Sequence, residues 1–465
     1  MLSCTEIKYI TMNKFGISLL FVIIIASFLL FSDLNPVETK AAILVTITIG
    51  LFATAIIPEY ITALLFFLVA MLFNIAPANI IFSGFQSTAL WLVFGGLVIG
   101  VAIIATGLGS RIANKLAGCF AGSYMKLITG ITMVGVAFAF IMPSAMGRIM
   151  LLTPIILLLA NHFGFQAGSN GKTGLILAST LGSFLPAFSI LPANVPNMIL
   201  VGIAENQFGI SPLFGEYLLL HFPILGLAKA IIIIILIIWL FPDQPKVNSE
   251  NKIKKTIPIS KAEITLAVTL IILLVLWMTD FIHHISPAWI ALGGAIFLLL
   301  PKVGVVNNEL FNSKINYGAI FFIASVIGLG NLIQHSGLGV AIGEGLITIL
   351  PLNPATPFIN YMSISFASTF TGLLTTLPGV PAVMTPLSAE IAEATGLSIK
   401  SILMLQVLGF STILLPYQAP AIIVAIHLAK EKTSSILKPI VIIGLITYTI
   451  FLPINYLWWK FLGWI

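Results

Sequence analysis

PSAMGRIMLLTP at residues 143–154 and TTLPGVPAVMTP at residues 375–386 are the two stretches on which the reading of this chain turns. Each sets proline, glycine and hydroxyl side chains inside an otherwise apolar segment. Each is followed downstream by a Leu-Pro-x-x-x-Pro element, Leu191 to Pro196 and Leu415 to Pro420. Proline has no amide proton for the inner turns of a helix, so it leaves backbone carbonyls unbonded. At membrane depth such groups are costly unless protein or a water-filled cavity surrounds them.

Composition places the breaks in a membrane. Of 465 residues, 59% are hydrophobic and 8% charged, against roughly 25% charged in a soluble domain. Apolar runs near the roughly 20 residues that span a bilayer recur along the chain, among them residues 15–31, 41–57 and 218–241. The fold expected is an all-α polytopic membrane protein. The first run follows Lys8 and Lys14, exceeds the usual apolar core of a signal peptide and lacks a small-residue cleavage site, so it is expected to stay as a first span.

Charge and cysteine exclude several classes. Cys4 and Cys119 are too few for a disulfide framework or a metal cluster. The net charge of +6 arises from loop lysines, which follow the positive-inside rule and do not call for nucleic acid. Lys246, Lys252, Lys254, Lys255 and Lys261 crowd into a polar linker, residues 242–261, punctuated by Pro242, Pro245 and Pro258. The linker and the N-terminus are expected in the cytoplasm, with residues 1–241 and 262–465 as two halves.

The halves can be laid on each other. Thr106-Gly107-Leu108-Gly109 matches Ser336-Gly337-Leu338-Gly339, with Gly100 and Gly330 in register. Ser144 precedes Thr153-Pro154 by the interval that separates Thr376 from Thr385-Pro386. Leu181-Gly182-Ser183-Phe184 precedes Leu191-Pro192 as Leu408-Gly409-Phe410-Ser411 precedes Leu415-Pro416. Duplicated, interrupted apolar segments are the sequence mark of a transporter whose site lies near the bilayer midplane, between repeats of opposite orientation. About six apolar segments before the linker and about five after it predict about 11 transmembrane helices in two inverted repeats.

Arg148 is one of only two arginines and sits four positions past Ser144. A charge inside a span costs at least about 2.5 kcal/mol and is a functional candidate by default. It could clamp an anion with both arms of its guanidinium, replace a cation electrostatically, snorkel to an interface, or pair with Glu205. Glu205 and Asn206 themselves read as a solvated loop. Trp458, Trp459 and Trp464 beside Lys460 read as an aromatic belt. No Gly-x-Ser-x-Gly, His-Glu-x-x-His or Gly-x-x-x-x-Gly-Lys-[Ser/Thr] motif is present, so neither a hydrolase nor an ATP-driven pump is supported.

The order FGGLVIGVAIIATGLGSRIA, PSAMGRIMLLTPI, ANVPNMILVGIAENQFGISPLFGEYLLLHFPI and LPYQAPAIIVAIHLAK resembles the divalent anion:sodium symporter family, over about residues 82–430. The resemblance implies a homodimeric inner-membrane carrier of di- or tricarboxylates or sulfate, with sodium as coupling ion and an elevator-like transport domain. Each half of that family has a re-entrant hairpin tipped by Ser-Asn-Thr and an unwound helix with a Thr-Pro-Pro-Asn-like turn. Carried over by position, the tips fall on Ser144-Ala145-Met146 and Thr376-Leu377-Pro378, and the unwound turns on Asn194-Val195-Pro196-Asn197 and Gln418-Ala419-Pro420-Ala421. Ala145, Met146, Leu377 and Pro378 lack the side-chain donors and oxygens of the family motif.

The residues expected at a substrate are thus Ser144, Ala145, Met146, Arg148, Asn194, Thr376, Leu377, Pro378, Gln418 and Ala419. Those expected at sodium are Ser144, Ala193, Asn194, Thr376 and Gln418. The partners implied are a small anion, the lipid bilayer and a second copy of the chain. A same-superfamily alternative is an inorganic-ion permease or cation:proton antiporter; one of another class is a structural or sensory membrane protein, which would have no reason to keep two matched breaks.

Overall fold

The computed structural model describes residues 35–112, 123–245, 258–432 and 434–465. The expected first span at residues 15–31, Cys4, Cys119 and most of the linker lysines lie outside them. Among the described residues the chain is helical, without a strand. The helices used below are α1 (Pro36–Thr54), α2 (Glu59–Leu72), α3 (Thr88–Thr106), α4 (Tyr124–Ile141), α5 (Ala145–His162), α6 (Asn170–Phe184), α7 (Val195–Phe208), α8 (Phe214–Leu240), α9 (Lys261–Met278), α10 (Pro287–Leu299), α11 (Tyr317–His335), α12 (Leu338–Ile349), α13 (Pro357–Leu374), α14 (Gly379–Met384), α15 (Ser388–Thr395), α16 (Ile399–Phe410), α17 (Pro420–Ala429) and α18 (Ser435–Phe461).

Eight of these are long and apolar enough to cross a membrane, or nine if the pair from α14 to α16, bent by 118°, is one broken span. The expected count of about 11 is not reached among the described residues. One reason is visible in α13: its 18 residues include Asn360, Ser363, Ser365, Ser368, Thr369 and Thr371, which lower its hydropathy although its length suffices.

Local chemistry starts these helices where the sequence places a cap. Asn35 accepts from the amides of Val37 and Glu38 while Glu38 reaches back to the Asn35 amide, a reciprocal capping box that opens α1. Ser260 and Glu263 repeat the device at α9. Ser123 and Ser169 cap α4 and α6 with single hydroxyls.

The described chain folds as two compact units. The first contains residues up to Leu90, Ile199–Ile210 and Tyr317–Phe410. In it α11 packs on α2 and α1 packs on both, while α13 lies along α16. The second contains Trp91–Met198, Ser211–Asn316 and Ser411–Ile465. There α6 packs on α4 and α5, α17 packs on α5 and α6, and α9 pairs with α10. Each unit draws on both sides of the linker, and the chain changes unit between Met198 and Ile199, two residues past Pro196, and between Phe410 and Ser411, four residues ahead of Leu415.

Candidate functional site

The first break begins where α6 ends at Phe184 and closes at Val195, where α7 starts. Pro186, Pro192 and Pro196 prevent one continuous helix, and two short 3-10 turns, Pro186–Ser189 and Leu191–Ala193, fill the interval. Every residue of those turns is buried. Their carbonyls must therefore find donors inside the protein. Asn197 supplies three of these contacts: its Nδ2 donates to the carbonyls of Phe188, Ile190 and Leu191 at 3.2, 3.0 and 3.3 Å. The Tyr217 hydroxyl donates to Phe188 O at 2.8 Å.

Arg148 joins this break to the turn that precedes α5. Residues 142–144 form that turn, and Ser144 caps α5 by accepting the Gly147 amide at 3.1 Å. Ala145 and Met146, expected at the tip, already belong to the first turn of α5. One turn into the helix, the Arg148 side chain is fully buried. Its Nη1 donates to Met142 O at 2.6 Å and Ala193 O at 3.0 Å, its Nε to Ser183 O at 3.1 Å, and its Nη2 to Asn194 Oδ1 at 3.2 Å.

Two expectations for this arginine are corrected. Complete burial rules out snorkelling, and its acceptors are three carbonyls and an amide oxygen with no acid among them. Glu205 is not a loop residue either: it lies on α7 and accepts from the amide and hydroxyl of Thr88 at 3.2 and 2.6 Å, capping α3. The chain's other arginine behaves ordinarily, with Arg111 gripping both oxygens of Glu263 at 2.7 and 3.1 Å.

The second break runs from Ser411, just past α16, to Ala419, just before α17. Gln418 organises it: its Oε1 accepts from the amides of Leu414 and Leu415, both at 2.9 Å. That leaves the Gln418 Nε2 buried without a partner, and Asn194 Nδ2 in the first break is in the same condition. Both are amide donors with nothing to donate to. Ala419 is buried against this loop, its amide donating to Pro416 O.

The corresponding turn of the second half lies at residues 375–378. Thr375 bonds back to Thr371 O at 2.8 Å, and Thr376 with Thr375, Gly379 and Ala382 borders a small cavity otherwise walled by Ile49, Phe52, Phe322, Val326 and Leu329. Leu377 is a core side chain, 2% exposed, and Pro378 precedes α14. Of the oxygens expected to hold sodium, Ala193 O and Asn194 Oδ1 face the guanidinium, and Ser144 Oγ and Gln418 Oε1 accept backbone amides.

Sequence reasoning missed Lys229. It sits within the 27-residue span of α8, is completely buried, and donates through Nζ to Ser411 O at 3.1 Å. The signal was available: it is the lone charge between Phe222 and Leu240, two residues ahead of the isoleucine-rich run that starts at Ile231. Gln406 was also passed over, although it bridges Thr385 at 2.8 Å and Ser388 at 3.1 Å in the core of the first unit.

The chain resembles known proteins over most of its length. The sequence model of the family described as the sodium:sulfate symporter transmembrane region matches residues 12–465. A membrane protein of Cupriavidus necator is 24% identical over 405 residues, covering 82% of this chain and 77% of that one. A putative malate transporter, YflS of Bacillus subtilis, is 25% identical over 55% of each chain. The L-tartrate/succinate antiporter of Escherichia coli K12 is 22% identical, over 55% of this chain and 54% of that one. This chain therefore spans about half the length of the latter two relatives. The crystal structure of the YdaH transporter of Alcanivorax borkumensis superimposes with a TM-score of 0.54 at 14% identity, covering 83% of this chain and 88% of that one, a likeness of fold.

Proposed function

The chain belongs to the sodium:sulfate symporter family, and from that premise we propose that it is a secondary transporter of small anions of the di- or tricarboxylate and sulfate type. The observation that carries this reading is Arg148: a desolvated guanidinium bonded to no acid, beside an Asn194 amide whose own donor is unused. A buried cation without a counter-charge is strongly unfavourable unless something anionic joins it. A carboxylate or sulfate oxygen is an acceptor for just such donors. The relatives named for malate, tartrate and succinate support carboxylates over an inorganic-cation cargo.

The site proposed is in the second unit: Ser144 and the opening of α5 through Ala145 and Met146, Arg148, Asn194, and Gln418 with Ala419. Residues 1–241 and 262–465 are taken as inverted repeats joined by a cytoplasmic linker. The protein is proposed to act as a homodimer in the inner membrane, with rigid-body motion of the broken-helix elements exposing the site alternately to each side.

The deciding experiment is uptake by proteoliposomes. Labelled succinate, L-malate, L-tartrate and sulfate would each be offered under sodium gradients, proton gradients and counter-loading with the unlabelled anion. Saturable accumulation of at least one is expected. Absence of flux for every anion under all three conditions would remove the reading.

A further inference from the structure

We infer that Lys229 is the second fixed cation of this anion site, so that Arg148 and Lys229 together balance a dianion and its binding does not require sodium. The inference rests on the anion-transport reading and sharpens it.

Lys229 is completely buried, like Arg148. It comes directly after a π-helical stretch, Phe222–Ala228, in α8, and such widened turns shift a helix's register and recur at functional sites. Its ammonium has three protons, and the one bond it makes among the described residues is to Ser411 O, the carbonyl that opens the second break. No acid pairs with it among the described residues. Arg148 holds Ser183 O and Ala193 O of the first break in the same manner. Each break thus has its own buried cation tied to backbone oxygens.

Arg148, Lys229, Asn194 and Gln418 all belong to the second unit. There α8 packs on α4 and α6, and α17, which starts just beyond Gln418, packs on α5 and α6. The unit therefore contains two uncompensated positive charges and two unpartnered amide donors, Asn194 Nδ2 and Gln418 Nε2. A ligand with two negative charges and several acceptor oxygens, a dicarboxylate or sulfate, carries the counter-charge and the acceptors that these four groups lack. Sodium would need oxygen ligands, yet Ala193 O, Asn194 Oδ1 and Ser411 O already face cationic nitrogens. An added cation there would meet like charge at close range.

The test uses the full chain in proteoliposomes counter-loaded with succinate, assayed for labelled succinate and sulfate in sodium and in choline media. Binding of succinate and of the monoanion propionate is measured on the purified protein, with Lys229→Gln and Lys229→Arg alongside. Wild-type exchange is expected to be equal within about twofold in the two media. Lys229→Gln should weaken succinate by about 30-fold or more, the scale for truncating one partner of a buried charge pair, and propionate much less. Lys229→Arg should recover most of the loss. Uptake that occurs in sodium and vanishes in choline would overturn the inference and leave anion transport standing. Unchanged succinate affinity in Lys229→Gln would also overturn it. No flux of either anion in either medium would remove the anion-transport reading with it. If Lys229→Gln does not fold, the wild-type media comparison and Lys229→Arg decide.

Discussion

The Arg148 side chain, rooted in the first turn of α5, donates to the Ala193 carbonyl at 3.0 Å, forty-five residues further along the chain. The same guanidinium holds Met142 O and Ser183 O, so one side chain fastens a turn, a helix end and a helix break together. Arg148→Gln can replace at most two of these donors. Each buried acceptor left without one costs about 1–3 kcal/mol, so the detergent-solubilised variant should melt lower by about 2–6 °C. Arg148→Lys keeps the charge without the planar fork and should fall between. Thermal unfolding followed by tryptophan fluorescence measures this; a Gln variant melting within about a degree of wild type would show that the fastening is not made.

Close helix contact sets where that arginine's acceptors lie. A β-carbon on Gly182 would stand 2.9 Å from Thr132 Cα, and one on Gly409 would stand 2.8 Å from the Thr369 amide nitrogen. In both halves the Leu-Gly pair before the break lets its helix touch the backbone of the helix before the preceding turn, α4 in one and α13 in the other. Gly182→Ala and Gly409→Ala must push backbone apart and should each cost about 1–3 kcal/mol or more. Gly182→Ala displaces Ser183, an Arg148 acceptor, so it should also weaken anion binding. Melting curves and succinate binding on both variants check this. Stability unchanged in both would contradict the packing.

Asn197 offers a third measurement. Its Nδ2 alone meets three carbonyls of the first break, and its Oδ1 is buried without a partner. Asn197→Ala should lose about 1–3 kcal/mol from the orphaned carbonyls. Asn197→Asp puts a carboxylate where only donors are useful and should be worse. The expected order of melting temperature is wild type, Ala, Asp; Asp equal to or above Ala would mean that the amide is not the clamp.

The breaks themselves were legible because proline and glycine act through the backbone and announce it in the sequence: Pro186, Pro192 and Pro196 stop α6, as Pro416 and Pro420 delimit the second break. The membrane class followed from composition, and Arg148 from the rarity of charge in apolar surroundings. What Arg148 binds was not legible, since its acceptors are mostly main-chain carbonyls that any residue carries. Glu205 was misread because its partner, Thr88, is distant in sequence and nothing local marks it. Lys229 escaped because hydropathy averaging over the 27 residues of α8 hides a lysine inside the span. Ala145 and Met146 were placed at the tip by family register, whereas the hydroxyl of Ser144 makes it the cap and starts the helix two residues early.

Asn194 separates a structural role for this cluster from a ligand-binding one. Its Oδ1 serves Arg148 while its Nδ2 faces no acceptor. Asn194→Asp keeps the shape, turns the Arg148 contact into an ion pair, and replaces the unused donor by a second carboxylate oxygen. A buried cation gains a counter-charge, so thermal stability should hold or rise. An incoming anion finds its charge partner taken and like charge beside it, so succinate affinity should drop by at least about tenfold, or about 1.4 kcal/mol. Asn194→Ala removes both contacts and should lower stability and affinity together. Melting temperature and succinate binding read on the same preparations give the answer. If Asn194→Asp binds succinate as wild type does, the guanidinium is satisfied by the fold alone and the anion sits elsewhere.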